Sequence, residues 1–371
     1  MDVPYCAAAA DPLPRNGPLP RGLDPDEAVR WEGFLRNHPL GQYQQSVRWA
    51  WIKEGEGWRS RLVTWSDCNG SMAGGFLLLI KNTRFGRVGF VNKGPVLKEE
   101  HPNSIGLAMQ RLLDTAASER VRALIVQPPD ESRIAPADFR SHGFCRAPVP
   151  GIIDATLIAS LEGGQEGVRS RLGRTARREA RQAQDRGVQT VEGTRADLPV
   201  FFELMCVTCR RQGVRPNPAS VEALYRRWDA FTPDIRLFLA TVKGEAVAGL
   251  LVLRFGDRCV FEKKGWNEKF PEAHPNTLLN VEAMMRAAAW GCRVVDFGAM
   301  DRSLAEQMLA GKAVETEVAA TRYAFNLRLG ARPVLLPEAR VWIPWKWQRP
   351  WLDWLLSVPA FARRLERWVA A

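Results

Sequence analysis

Apolar positions fall into two successive blocks that share one order of periods. In the first block, Trp31, Phe34 and Leu35 recur at i, i+3 and i+4 and predict a helix over 26–37, with a second over 46–54. Alternating and continuous apolar runs then predict strands over 60–65, 74–81 and 87–92, divided by Asp-x-Asn-Gly and Asn-Thr-Arg-Phe-Gly turns. A helix over 104–118 and a strand over 123–127 complete the block. The second block opens with a strand over 152–158 and one continuous helix over 167–185. Helices follow over 198–212 and 218–231, the latter with Asn217 as N-cap and Pro218 at the first helical position. Strands over 235–242, 246–255 and 258–264, a helix over 276–290 closed by Gly291, and a strand over 293–297 end the pattern.

Helices first, then antiparallel hairpins, then helix and strand: the layout is mixed α/β (α+β) and is used twice. The expected organisation is an Ala/Pro/Gly-rich tail over 1–24, domains over 25–150 and 151–340, and a C-terminal segment over 341–371. A length of 371 residues suits two domains. The longest apolar runs, 74–80 and 246–253, fall far short of the ~20 residues a membrane-spanning helix needs. Seven irregularly spaced cysteines and a start without a basic, apolar leader lead us to expect a reduced, cytoplasmic protein. Cys206-x-x-Cys209 has no second pair to complete a zinc site and falls within a predicted helix.

Charge changes the picture through its distribution. The net charge is +11, with 42 Arg against 10 Lys. Within 169–186, seven arginines meet only Glu179 and Asp185. At 100° per residue Arg171, Arg174, Arg177, Arg178 and Arg181 share an arc of roughly 120°, opposite Leu172, Ala176, Ala180 and Ala183. Such a face fits a row of phosphates, since each guanidinium offers a bidentate fork, and it equally fits a solvated surface helix. The last thirty residues hold six of the fourteen tryptophans, interleaved with Arg and Pro. That composition suits a peripheral contact with the inner membrane face, and also an arm packed over another domain. No phosphate loop, dinucleotide turn, His-Glu-x-x-His or Gly-x-Ser-x-Gly motif occurs, and the four histidines form no nucleophile–base arrangement.

Several short stretches, in order, resemble the Fem-type (FemABX) aminoacyltransferases. Gln45-Ser46-x-x-Trp49-x-x-x-Lys53-x-x-x-Gly57-Trp58 is similar to the family's opening signature, and Lys93-Gly94-Pro95-Val96 and Leu124-Ile125-Val126-Gln127-Pro128 to its next landmarks. Arg177-Arg178-x-Ala180-x-x-Ala183-x-x-x-Gly187-Val188, Thr208-x-x-Arg211-x-Gly213, Pro275-Asn276-x-Leu278-Leu279, Gly291-x-x-x-x-Asp296-Phe297-Gly298 and Phe325-Asn326-x-x-x-Gly330 follow, spanning about 31–335.

The resemblance implies two tandem domains of the Gcn5-related N-acetyltransferase (GNAT) type. It further implies transfer of an aminoacyl group from aminoacyl-tRNA to an amine of a peptide-like or lipid-linked acceptor, most often a peptidoglycan precursor. No cofactor or metal is then expected, because the ester is already activated and the enzyme's task is to position reactants and stabilise charge. By matching position, Lys53 contacts an acceptor phosphate with Arg211 as its partner, and Trp49 lies in the acceptor-binding signature. Arg171, Arg174, Arg177, Arg178 and Arg181 are candidates for tRNA phosphates. Asp296, Asn326 and Lys264 are the catalytic candidates. Asp296 either handles the acceptor amine or caps a loop, and Lys264 stands with Lys263 and Trp266 near a strand end. Asn326 departs from the family's Lys in its terminal motif, and Arg322 and Arg328 are the nearby cations. Two alternatives remain: an acyl-CoA N-acyltransferase, for which only Gln184-x-x-Gly187 and Arg210-x-x-Gly213 approach the pyrophosphate loop, and a non-catalytic tRNA- or envelope-precursor-binding protein.

Overall fold

The computed structural model describes residues 19–84, 86–146, 151–312, 318, 321 and 323–344. They form two compact units, 19–146 with 340–344, and 151–339. The tryptophans at 345–368 and Arg322 lie outside the described residues.

The first unit runs α1 (Pro25–Asn37), α2 (Val47–Gly55), β1 (Arg59–Ser66), β2 (Met72–Thr83), β3 (Gly86–Asn92), β4 (Val96–Leu97), α3 (Pro102–Ser118), β5 (Val121–Gln127), α4 (Pro136–Ser141) and β6 (Cys145–Arg146). Local chemistry starts the first two helices: Asp24 accepts from the Asp26 N–H ahead of α1, and Ser46 from the Arg48 N–H ahead of α2. The sheet order is β1-β2-β3-β5-β14-β6, with β4 on β2, where β14 is the late strand Arg340–Trp342. Residues 340–342, expected to straddle the second domain and the tail, thus pair with β5 and β6 of the first unit's sheet. A three-residue strand whose partners lie some 200 positions earlier has no local pattern to announce it.

The second unit runs β7 (Ala155–Ser160), α5 (Gly164–Arg171), α6 (Arg174–Asp185), β8 (Gln189–Gly193), α7 (Leu198–Arg211), α8 (Val221–Phe231), β9 (Ile235–Val242), β10 (Glu245–Phe255), β11 (Arg258–Trp266), α9 (Pro275–Ala289), β12 (Val294–Ala299), α10 (Arg302–Leu309), α11 (Tyr323–Arg328) and β13 (Arg332–Leu335). Its sheet is β13-β7-β12-β11-β10-β9-β8, and the β11–β12 pair alone is parallel. The core on one face joins Phe238, Leu250, Val252, Phe261, Leu278, Val295 and Phe297 with Leu172, Ala176 and Ala183 of the Arg-rich segment.

Two expectations are corrected here. The helix expected over 167–185 is broken into α5 and α6. The Gly173 N–H donates to the Arg328 carbonyl at 2.9 Å, and a Cβ on Gly173 would stand 2.9 Å from that oxygen. Gly330, at φ +87°, reciprocates against the Arg171 carbonyl, so the ends of α5 and α11 interlock through two glycines. The helix expected from Pro218 begins at Val221 instead, capped by the Ser220 hydroxyl on the Ala223 N–H.

Candidate active site

The parallel seam of the second unit is paired over three positions only, Arg258↔Val294, Cys259↔Val295 and Val260↔Asp296. Beyond them β11 continues to Trp266 beside β10, and β12 continues to Ala299 beside β7. The two strands therefore part and leave a wedge.

What points into the wedge depends on a bulge. Leu251 pairs with Lys263 but Val252 with Phe261, so Glu262 is an extra residue on β11. Side chains alternate along a strand, and one inserted residue reverses the alternation beyond it. Phe261 and Lys264 consequently share the face of α6, α9 and α11, while Lys263 and Gly265 face α7. The bulge is anchored: the Arg227 guanidinium of α8 pairs with the Glu262 carboxylate, both nearly fully buried. One step on, α7 rests on Gly265, where a Cβ would lie 2.6 Å from the Met205 nitrogen.

Lys264 Nζ stands among three rings, with centroids at 5.0 Å (Phe297), 5.5 Å (Phe261) and 5.9 Å (Phe325). It donates to Asn326 Oδ1 at 3.3 Å. Burial among these rings, with no carboxylate beside Nζ among the described residues, lowers its pKa from 10.5 to about 7. The structure thus brings two of the three catalytic candidates together. Asp296 turns the other way, as alternation with Phe297 requires. Its Oδ1 accepts from Thr156 Oγ1 and, at 2.7 Å, from the Gly298 N–H, which is the loop-capping geometry.

The Arg-rich face is displayed outward. Arg171, Arg174, Arg177, Arg178 and Arg181 are exposed, and Ala176 and Ala183 are buried. Arg171 belongs to α5 and donates to the Glu162 carbonyl at 2.6 Å. Among the described residues, the four on α6 have no acidic partner. Glu179, the one carboxylate among them, turns inward to the Thr277 hydroxyl (2.8 Å) and Arg328 (3.6 Å). Arg211 closes α7, 3.0 Å from Glu268 and over the Trp266 ring.

In the first unit, Lys53 pairs with Glu56 at 2.5 Å and lies 5.0 Å from the Trp49 ring centroid. Sequence reasoning missed Lys81, which lies 5.1 Å from the Trp58 ring centroid; burial, and then the nearby Lys53 charge, lower its pKa. Nothing in the spacing signals this convergence of α2 with the end of β2. The Gln45, Lys93 and Gln127 landmarks prove to be one buried knot. Gln45 Oε1 accepts from the Leu77 N–H and Nε2 donates to the Asn92 carbonyl, the Gly94 N–H donates to the Gln127 carbonyl, and Lys93 pairs with Asp130 at 2.6 Å.

A FemAB family model matches residues 27–141 and a GNAT acetyltransferase domain model matches 170–305. The chain is thus similar to the Fem-type family over its first half and to GNAT acetyltransferases over its second. It is 24% identical over 259 residues to the UDP-N-acetylmuramoylpentapeptide-lysine N(6)-alanyltransferase of Weissella viridescens, covering 63% of this chain and 72% of that one. It is 24% identical over 230 residues to the lipid II:glycine glycyltransferase of Staphylococcus saprophyticus, covering 58% of this chain and 55% of that relative. The crystal structure of FemX superposes with a TM-score of 0.73 at 18% identity, over 89% of this chain and 98% of that one, and establishes the fold. Both halves of the chain have a GNAT-like fold, with Asn326 beside Lys264 at the open seam of the second.

Proposed function

We propose that this chain is an aminoacyltransferase that moves an aminoacyl group from aminoacyl-tRNA to an amine on a peptidoglycan-type precursor, forming an amide. The ring-lined wedge that holds the Lys264–Asn326 pair carries this reading: it offers an apolar, partly desolvated place where ester and amine meet beside one hydrogen-bonding pair. The printed names of the relatives, an alanyltransferase and a glycyltransferase, supply the reaction class and the acceptor class.

The tRNA donor is favoured over an acyl-CoA by the local helix chemistry. A pyrophosphate is cradled by free N–H groups at a helix N-terminus. Both fragments that approach the CoA loop, at Gln184–Gly187 and Arg210–Gly213, sit at the C-terminal ends of α6 and α7, where carbonyls are presented. The turn before α9 carries Pro271 and Pro275, which lack N–H groups, and Glu268 and Glu272, which repel phosphate. The α6 guanidinium row, with Arg171 beside it, is assigned to tRNA phosphates. Lys53, with Trp49 beneath it and Lys81 nearby, is assigned to an acceptor phosphate, as is Arg211. Transfer is placed in the cytoplasm, where charged tRNA is made; among the described residues no helix is long and apolar enough to cross a membrane.

The test supplies the purified chain with charged total tRNA, or with acetyl-CoA, and a peptidoglycan-precursor pool, and follows label into amide. RNase-sensitive transfer is the expected result. Transfer from the thioester alone would overturn the reading, and salt-sensitive tRNA binding with silence from both donors would make the chain a binding protein.

A further inference from the structure

We infer that Lys264 is the proton carrier of the transfer, working as a neutral amine, and that Asn326 is the partner that suits it in both protonation states. This rests on the aminoacyl-transfer reading above.

The bulge at Glu262 is what turns Lys264, in place of Lys263, into the open seam. There the amine has the features of a group that changes charge rather than keeps it. Among the described residues three rings and one neutral amide surround Nζ; the α6 arginines face outward, and the charged groups named next are engaged elsewhere. On β12, Asp296 is held by Thr156 and Gly298. On α6 and α11, Glu179 and Arg328 hold each other, and the Tyr323 hydroxyl accepts from the Asp301 N–H. On β11 itself, Glu262 is shared by Arg227 and Lys263. On β10, Arg254 pairs with Asp234, and on α7, Arg211 with Glu268, while the Cys209 thiol is pushed up by burial. Burial with no counter-charge among the described residues disfavours the ammonium, and the rings recover only part of that loss. The resulting pKa of about 7 leaves both forms populated near neutrality.

An Asn is the side chain such a group needs. Its carbonyl accepts from Nζ–H in either state, and its NH2 can donate to the lone pair of the neutral amine. A lysine at 326 would bring a second ammonium to hydrogen-bonding distance, and the two would oppose each other's charge. The departure from the family's terminal motif and the caged Lys264 are therefore one feature.

The step balances without a further reagent. The acceptor amine arrives neutral, and its lone pair forms the C–N bond to the ester carbonyl carbon. Lys264 Nζ takes one proton from that nitrogen, becoming the ammonium. As the C–O bond to the ribose breaks, the electron pair stays on the ribose oxygen, and Lys264 returns the proton to it. The products are the amide and the free ribose hydroxyl, with Lys264 neutral again.

The first measurement needs no substrate: competitive acetylation of the whole chain across pH, read by mass spectrometry, should show Lys264 reacting with a midpoint near 7. A midpoint near the ordinary lysine value would overturn the inference while leaving the transfer reading intact. In steady-state transfer, kcat should fall as pH drops through 7. Lys264→Gln should lower kcat by about 10²–10⁴-fold with the acceptor's KM little changed. Lys264→Arg separates proton transfer from mere charge, because a guanidinium stays protonated. It should be as slow as Gln, and recovery of activity with Arg would sink the proton-carrier role. Asn326→Asp places a carboxylate on Nζ and should move the limb upward by about 1–3 pH units. An unmoved limb would assign it to another group.

Discussion

The two units use one layout to opposite ends, and the difference lies at the parallel seam. In the first unit β3 and β5 stay paired from Arg87↔Val121 to Asn92↔Gln127, and the ground just beyond is filled by the Gln45 amide, the Gly94–Gln127 hydrogen bond and the buried Lys93–Asp130 pair. In the second, pairing stops after Val260↔Asp296 and the strands part. Each seam owns a lysine. Lys93 has a carboxylate and is sealed, whereas Lys264 has three rings and an amide and is left at a wedge. A satisfied buried polar group specifies structure; one left short of a counter-charge is available for chemistry.

The largest effect expected from this contrast is on stability, in the first unit. Lys93→Met removes the ammonium paired with the buried Asp130 carboxylate and should lower unfolding stability by about 3–5 kcal/mol, as breaking one side of a buried pair does. Urea unfolding measures it; a loss under 1 kcal/mol would erase the distinction between a structural and a chemical seam. Next comes the outward face of α6. Replacing Arg174, Arg177, Arg178 and Arg181 by Gln removes about four phosphate contacts. That should weaken tRNA binding by roughly 100-fold at low salt and flatten the dependence of log K on log salt by up to 0.9 per contact. A salt slope equal to that of the unaltered chain would return the face to plain solvation. Smaller again is Lys53→Ala in the first unit. Loss of a charge-assisted phosphate contact should raise the acceptor's KM by about tenfold or more with kcat unchanged. A fall in kcat instead would place chemistry in the first unit and break the comparison.

Much of this was legible in the chain, for identifiable reasons. Strands such as Ile235–Val242 and helices such as α1 and α3 carry their own periods and caps, and the order of elements exposed the tandem layout. The Arg face was readable because it depends only on the 100° step; Ala176 and Ala183 are buried and the arginines exposed as that step requires. What stayed hidden was decided across long separations. The break at Gly173 answers to the end of α11 more than 150 residues later. Lys264 stood among the candidates with Lys263 and Trp266 only as residues near one strand end; which lysine faces the core is decided by the Glu262 bulge, held by Arg227 of α8. Lys93 and Gln127 stood out as landmarks, and both lie in the sealed seam, Lys93 on Asp130 and the Gln127 carbonyl on the Gly94 N–H.

The same exchange made in the second unit should have the opposite sign from Lys93→Met, and its pH dependence is the finest test of the contrast. Lys264 titrates near 7 in the folded chain and, as an ordinary lysine, near 10.5 when unfolded. Below 7 both states carry the proton, and the folded state bears the full penalty of a buried ammonium. Between 7 and 10.5 the unfolded chain binds a proton that the folded chain does not, so this group makes stability rise with pH. Above 10.5 the penalty is gone. Lys264→Met removes the titrating group, so its melting temperature should exceed that of the unaltered chain at pH 6–7. For domains of this size each kcal/mol recovered raises it by about 2–4 °C. The gap should then shrink steadily as pH climbs from 7 toward 10. Thermal unfolding of both chains at pH 6, 8 and 10 reads this directly. A gap that stays constant with pH would mean that Lys264 keeps its proton like any surface lysine, and that the open seam differs from the sealed one in shape but not in charge.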